Sequence, residues 1–289
     1  MGLLNGLLGR RKASPTAAHP LLEHVPAVLG DEILAAPDFA ETLIPALEHA
    51  DAYLKNQVAA IPGPLTLSSA TRPTDPLMSR IFADDAELRA GLGRSLEMKE
   101  SIVQLAVAGH VHSYALLGMR LKRGVTPAPG EAPVFADHTV KAIADTEAHA
   151  RGELRVSALR RIIKNYDQHL AKLREKQQLL KLEWNIENNP AGKDDGNEFV
   201  HAKTELTPGN MVRGLAAWLR RPEEVLKLTN GDVRIPGRSA DGAQSGHYEL
   251  PMLHCADRRQ WIVCMVAFPT YEAAEALKAE SRIHRYIFV

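Results

Sequence analysis

The chain has 289 residues, of which 45% are hydrophobic and 24% are charged, so it is long enough to bury a substantial core. Lys and Arg together number 35, as do Asp and Glu. This balance excludes a globally basic nucleic-acid coat and an acidic disordered tail. The presence of only two cysteines excludes a small protein held together by a disulfide framework.

The first twelve residues combine an apolar helical face with a basic cluster, made of Leu3, Leu4, Leu7, Leu8, Arg10, Arg11 and Lys12. Such a segment can contact anionic lipid headgroups, although its shortness and its three glycines make it a marginal helix in water. We therefore interpret residues 1–20 as a flexible amphipathic peptide and tether. Two functions are open for this segment: docking to a protein partner, and weak peripheral contact with the inner membrane. The basic residues follow the apolar stretch, whereas a secretory signal places them before it, so we predict a cytoplasmic protein.

Residues 21–150 carry mainly helical signals, from which we predict a helical domain. Asp38 and Glu41 form a capping-box pattern, and apolar residues at helical spacing follow it. The stretch 101–119 contains no Asp, Glu, Lys or Arg, and polar residues interrupt it too often for a membrane span. We predict that it is a helix buried in the core, and that Asp137 or Thr139 caps the next helix.

The clearest periodic signal lies in residues 151–187, which we predict to form a coiled-coil helix. Nine residues recur at alternating intervals of three and four, and this spacing places them on one narrow helical stripe, called the seam below. The seam comprises Val156, Leu159, Ile163, Tyr166, Leu170, Leu173, Gln177, Leu180 and Trp184. Two partners are open for it: the same helix of a second subunit, or an earlier helix of this chain. We favour the homodimer, because the stripe is narrow and its flanks are strongly charged.

The last third of the chain changes character. Residues 188–204 begin with a polar stretch rich in Asn, Asp and Gly and are predicted to be a linker. Residues 205–289 are predicted to form a small α+β domain with a short, mostly antiparallel sheet. Two strands are expected at 247–254 and 260–268, joined by a short polar segment, and the second should be central because it is almost wholly apolar. A helix should follow from Thr270. The fold class is therefore α+β, with a helical N-terminal domain and a long coiled-coil helix.

Four residues of metal-ligating type lie near the middle of the chain, namely His110, His138, Glu147 and His149. Glu147 and His149 are two positions apart, and on a helix such residues point in different directions. We therefore predict no metal site, and we expect no cofactor because the phosphate-loop, dinucleotide and serine-hydrolase motifs are absent from the sequence. A metal-binding helical domain or enzyme using His110, His138 and His149 is kept as an alternative.

The predicted coiled-coil helix is also basic. Residues 151–183 contain nine Lys or Arg against four Asp or Glu, and a basic helix can follow the phosphates of a nucleic acid. The aromatic residues that would interleave with these charges are limited to Tyr166 and Trp184, and both belong to the apolar seam. A nucleic-acid-associated protein is therefore a second alternative, and we expect nucleic acid not to be the partner.

The broad layout resembles an uncharacterised bacterial protein family. The similarity rests on Phe135-Ala136-Asp137-His138-Thr139, on the seam, on residues 215–228 and on the apolar strand that ends at Phe268-Pro269. No activity is known for that family, so the resemblance implies no catalytic residue. We predict a non-enzymatic adaptor or scaffold that self-associates through the coiled coil and presents the small α+β domain for interaction.

Overall fold

The computed structural model describes residues 19–93, 95–121, 134–187, 193–236 and 247–284. Within these ranges the chain forms nine α-helices: α1 His24–Leu29, α2 Phe39–Ala59, α3 Pro76–Ile81, α4 Asp85–Gly93, α5 Leu96–Val107, α6 Glu147–Glu187, α7 Lys193–Glu205, α8 Pro208–Leu219 and α9 Thr270–His284. The strands in the same ranges are β1 Leu65–Thr66, β2 His112–Leu121, β3 Phe135–Ala144, β4 Leu226–Pro236, β5 His247–Cys255 and β6 Gln260–Pro269. The predicted N-terminal peptide lies outside the described residues, apart from its last two positions.

The described residues confirm the α+β fold class. Five strands follow the order β3-β2-β6-β5-β4, and each neighbouring pair is antiparallel. The short β1 adds a parallel pairing to β6, with Leu65 opposite Val266. Strand β6 is central, as its apolar sequence predicted, and Ile262 to Val266 are all buried. The antiparallel hairpin of β5 and β6 was also expected.

The sheet draws on both parts of the chain that the sequence analysis had separated. Residues 21–150, expected to be a helical domain, supply β1, β2 and β3, while residues 205–289 supply β4, β5 and β6. The small C-terminal domain is therefore not a separate sheet. Residues 193–205 form α7, so the expected linker at 188–204 is helical over most of its length.

Two secondary-structure predictions within 21–150 are wrong. The helix expected over 101–119 ends at Val107, and β2 begins at His112. Neither Asp137 nor Thr139 caps a helix, because both lie within β3. The error in β2 has a physical cause: both faces of the strand are covered, so it is a continuous apolar run that periodicity cannot distinguish from a buried helix.

The chain divides into two compact units, each considered by itself. One unit contains residues 1–50 and 160–221, and the other contains residues 51–159 and 222–289. The sheet belongs to the second unit, where its two faces carry separate apolar clusters. One cluster joins α3, α4, α5 and α9 to the sheet through residues such as Phe82 and Phe268. The other includes Leu154 and Met265.

The first unit is helical among the described residues. Its clearest element is α8, which opens with Pro208 at the first helical position, as its sequence predicts. Met211, Val212, Leu215 and Leu219, which share one face of α8, are buried. In the part of the chain that the structure describes, no helix has the length and apolar character required to cross a bilayer.

Candidate functional site

The seam forms part of one long helix, as predicted, but most of it is covered within a single chain. The buried seam residues are Leu159, Ile163, Tyr166, Leu170 and Leu180, each 9% exposed or less. Val156, Leu173 and Gln177 are half-buried, and the side chain of Trp184 lies outside the described residues. The buried positions cannot pack against a second subunit while the chain keeps this structure. Five of the nine residues predicted to join two subunits are thus covered within one chain, and the pairing of two subunits stays a prediction.

Helix α8 covers the middle of the seam in the first unit. The Tyr166 hydroxyl donates a hydrogen bond to the carbonyl oxygen of Met211, and the Tyr166 ring centroid lies 5.7 Å from that of Trp218. Gly214 is so close to Tyr166 that a Cβ atom there would overlap the hydroxyl oxygen. Around Tyr166 the covering element thus comes later in the chain than α6. Earlier segments also contact α6, because Arg160 lies 3.4 Å from His24 and Arg174 lies 2.5 Å from Glu32.

On either side of the buried seam residue Leu180, α6 carries exposed leucines. Leu179 is 54% exposed and Leu182 is 57% exposed, and they are three residues apart on the helix. Residues at this spacing lie side by side on the helix surface. Lys176, on the preceding turn, forms a 2.7 Å ion pair with Glu198 of α7. The leucine pair is called the distal face of α6 below.

Carboxylates pair with four of the basic residues of α6. Arg151 lies 2.7 Å from Glu147 and also donates to the carbonyl oxygens of Val58 and Ile61. The other measured pairs are Arg155 with Asp51 at 3.1 Å, Arg174 with Glu32 at 2.5 Å, and Lys176 with Glu198. A helix whose cations are paired in this way attracts phosphates less strongly than its sequence suggests. Over residues 147–182, where the structure describes the side chains of α6, no contact favours the nucleic-acid alternative.

The candidate metal ligands do not converge. His138 packs against Phe82 with a centroid distance of 4.5 Å and lies 3.8 Å from Glu87. His149 instead lies 2.9 Å from Asp145 and 3.8 Å from Glu153. Within the described ranges, no group of three or more His, Cys, Asp or Glu side chains is placed to hold a metal ion, and this includes His110 and Glu147. The metal-site alternative therefore has no support from their geometry.

A feature that the sequence analysis missed lies where β5 turns into β6. A cavity of about 230 Å³ opens there, and Arg120, Arg258, Arg259 and Gln260 form its polar lining. Its apolar lining comes from Leu121, Met252 and Ile262. We call this cavity the arginine pocket. It lies entirely within the second unit.

Two of the three arginines make loose ion pairs. The Arg120 guanidinium lies 3.4 Å from an oxygen of Asp137 and 5.7 Å from the ring centroid of Trp261, a cation–π distance. Arg259 lies 3.7 Å from Asp257. Exposed pairs of this kind contribute little to stability, about 0–1 kcal/mol.

Arg258 occupies the tight position of the β5–β6 turn. Its N–H donates to the carbonyl oxygen of Cys255, and the Cys255 N–H donates to that of Arg259. The turn places Arg258 at φ 62°, in the left-handed region that glycine and asparagine adopt more easily. The sequence offered one signal for this site, the adjacent arginines, but Arg120 joins them only through the pairing of β2 with β6.

A hydrogen-bonded row orients Gln260 at the edge of the arginine pocket. The His254 ring nitrogens lie 3.4 Å from the Gln260 amide nitrogen and 3.0 Å from the Thr229 hydroxyl. The Thr229 hydroxyl in turn donates to the carbonyl oxygen of Met252. One tautomer of His254 satisfies these contacts. The Gln260 amide donates to Nδ1 of His254, and the Nε2–H of His254 donates to the Thr229 hydroxyl.

The two cysteines lie on neighbouring strands and are both thiols. In the hairpin, His254 pairs with Gln260, and Cys264 lies opposite Leu117 of β2. Burial raises the pKa of the Cys264 thiol to about 12, which disfavours the thiolate that a nucleophile requires. Cys264 is therefore a packed thiol in the core of the sheet.

Comparison of the chain with models of protein families, with curated proteins and with solved structures gave no match. The resemblance to a bacterial family thus stays a prediction, and the function is argued from the sites described above.

Proposed function

We propose that this protein is an adaptor that pairs with a second copy of itself through the distal face of α6. The proposal keeps the expected self-association but moves it from the seam to Leu179 and Leu182. The observation that carries it is the exposure of these two leucines, 54% and 57%, on a helix whose neighbouring seam residue Leu180 is buried. Buried residues serve the fold, whereas adjacent exposed leucines remain available to a partner.

A symmetric dimer suits this pair of residues. Homodimers most often have two-fold symmetry, so that residue i of one copy contacts residue j of the other and the reverse. Antiparallel pairing of two α6 helices would place Leu179 of each copy against Leu182 of the other. The polar and charged residues around them, Glu175, Gln178 and Lys181, are exposed and would form the rim of the contact.

The size of the distal face sets the expected strength of pairing. Burying the exposed half of a leucine side chain contributes about 1 kcal/mol, so the four leucines of a dimer contribute about 4 kcal/mol. Association costs roughly 4–15 kcal/mol in lost translational and rotational freedom. Because the leucines offset only the low end of this cost, we expect a weak dimer that forms only at high protein concentration.

Sedimentation velocity of the full chain over a wide concentration range tests the proposal. Wild type should shift from monomer toward dimer as the concentration rises, and the double variant Leu179→Lys/Leu182→Lys should stay monomeric. Both positions are exposed, so circular dichroism of the variant should match that of wild type.

The matched control changes two exposed apolar residues of α5, Val103→Lys/Val107→Lys, which are 55% and 84% exposed. This control adds the same charge and should dimerise like wild type. A wild type that remains monomeric throughout the range would disprove the proposal. Loss of the dimer in the control but not in the α6 variant would assign the contact to α5 instead.

A further inference from the structure

We infer that the arginine pocket binds the phosphate or pyrophosphate group of a small molecule. Three arginines line one cavity, and they come from two segments far apart in sequence, β2 and the β5–β6 turn. Arginine is the residue best suited to phosphate, because its planar fork can donate two parallel hydrogen bonds to two oxygens. This inference is independent of the adaptor proposal, since α6 lines no part of the pocket.

The charges at the pocket leave its guanidinium groups able to receive an anion. Asp137 and Asp257 are the acids beside Arg120 and Arg259, at 3.4 Å and 3.7 Å. Such long and exposed pairs exchange readily with a more highly charged competitor. Within the part of the chain that the structure describes, Arg258 has no ion-pair partner. Gln260 is a neutral donor at the same cavity, held in place by His254.

The size and the apolar lining of the pocket indicate the class of ligand. Cavities that bind drug-sized molecules measure roughly 300–1,000 Å³, and this one measures about 230 Å³. It therefore suits a small anion, or the phosphate end of a larger molecule. Leu121, Met252 and Ile262 make part of the lining apolar, and hydrogen bonds to a charged group strengthen beside an apolar surface.

The backbone of Arg258 gives an independent reason to assign it a function. Its φ of 62° disfavours an L side chain, and glycine would relieve the strain. Strained residues persist where the strained geometry serves a site. Here the turn projects the Arg258 side chain at the cavity that Arg259 also lines. A residue chosen for the turn alone would be glycine or asparagine, whereas an arginine fits a turn that must also bind an anion.

The test changes Arg258, because the strain of its backbone and the charge of its side chain predict opposite effects on stability and on binding. Isothermal titration calorimetry of the full chain with inorganic pyrophosphate should show saturable binding. Arg258→Gly should weaken that binding by about tenfold or more, the loss expected for one charged hydrogen-bonding group. The same variant should melt at a higher temperature than wild type, because the turn is relieved. A variant that melts at a higher temperature but binds pyrophosphate more weakly has lost affinity without losing its fold.

Two further variants make the outcome decisive. Arg258→Lys keeps the charge but lacks the fork, and it should bind with intermediate affinity. Arg80→Ala removes an exposed arginine of α3 that does not line the pocket, and it should bind like wild type. The inference is wrong if wild type binds no pyrophosphate, if Arg258→Gly binds equally well, or if Arg80→Ala loses as much affinity.

A lipid headgroup carries the same phosphate chemistry. Cosedimentation with vesicles that contain phosphatidic acid therefore tests lipid binding separately. We expect no Arg258-dependent cosedimentation with them when pyrophosphate is absent. Arg258-dependent binding to the vesicles without binding of soluble pyrophosphate would overturn the assignment to a small molecule.

Discussion

The hydroxyl of Tyr166 donates a hydrogen bond to the carbonyl oxygen of Met211 across 3.1 Å, which connects α6 to α8. Gly214 lies one turn further along α8 and leaves room for the tyrosine ring. This contact explains why the seam faces the interior of one chain. An aromatic side chain with a polar tip needs an apolar surface and an acceptor together, and α8 supplies both.

We predict that Gly214→Ala lowers the free energy of unfolding by about 1–3 kcal/mol, the usual effect of overpacking a buried site. Alanine normally stabilises a helix relative to glycine by about 0.5–1 kcal/mol, but here its Cβ would overlap the Tyr166 hydroxyl. Urea unfolding measures the difference. Gly152→Ala in α6 is the matched control, because a Cβ at Gly152 meets nothing within 4 Å, and it should be stabilising.

A double-mutant cycle isolates the cause of that effect. Tyr166→Phe removes the hydroxyl and alone should cost about 1 kcal/mol for the lost hydrogen bond. Adding Gly214→Ala to Tyr166→Phe should cost less than it does in wild type, because the overlapping oxygen is gone. Strict additivity of the two changes would contradict close packing of Tyr166 against α8.

The same tyrosine should make the protein sensitive to alkali. Burial, and secondarily Glu205, raises the pKa of Tyr166 to about 12, whereas an unfolded tyrosine titrates near pH 10. The folded state therefore keeps its proton at a pH where the unfolded state has lost it. The contribution to stability is complete below about pH 10 and falls by about 1.4 kcal/mol per pH unit between about pH 10 and 12. The stability curves of wild type and Tyr166→Phe should converge and then cross over this range, and parallel curves would disprove the prediction.

His24 should make the first unit sensitive to acid. It is buried, and its ring lies 3.4 Å from the Arg160 guanidinium. Burial first, and then the charge of Arg160, lowers the pKa of His24 below its ordinary value near 6.5, while Glu23 opposes the shift. Because the unfolded state takes up the proton more readily, the contribution to stability is present above about pH 6.5 and is lost as the pH falls through the folded pKa.

His24→Gln tests this prediction, because glutamine is polar but does not titrate. Thermal melts between pH 7.5 and pH 5 should show a smaller loss of stability for the variant than for wild type. Arg160→Gln should also reduce the loss, since it removes a nearby positive charge. An equal loss in wild type and His24→Gln would place the acid sensitivity elsewhere.

Sequence patterns predicted the helices and strands whose residue spacing and apolar character are set within a short segment. The 3–4 spacing predicted a long helix at α6, and the apolar run of β6 predicted a central strand, because periodicity and burial leave direct traces in sequence. They failed at β2, where a strand covered on both faces resembles a buried helix. They also missed the arginine pocket. Arg120 and Arg258 are 138 positions apart in the sequence and meet only through strand pairing.

The amino-acid sequence by itself determined the α+β class, the helical character of α6 and the residues that share its apolar stripe. Only the tertiary structure decided what covers that stripe and which cations share a cavity. The reason is that residue spacing establishes which side chains lie on one face of an element, and this is a property of a few helical turns. The surface that covers such a face comes from distant residues: Met211 lies 45 positions beyond Tyr166.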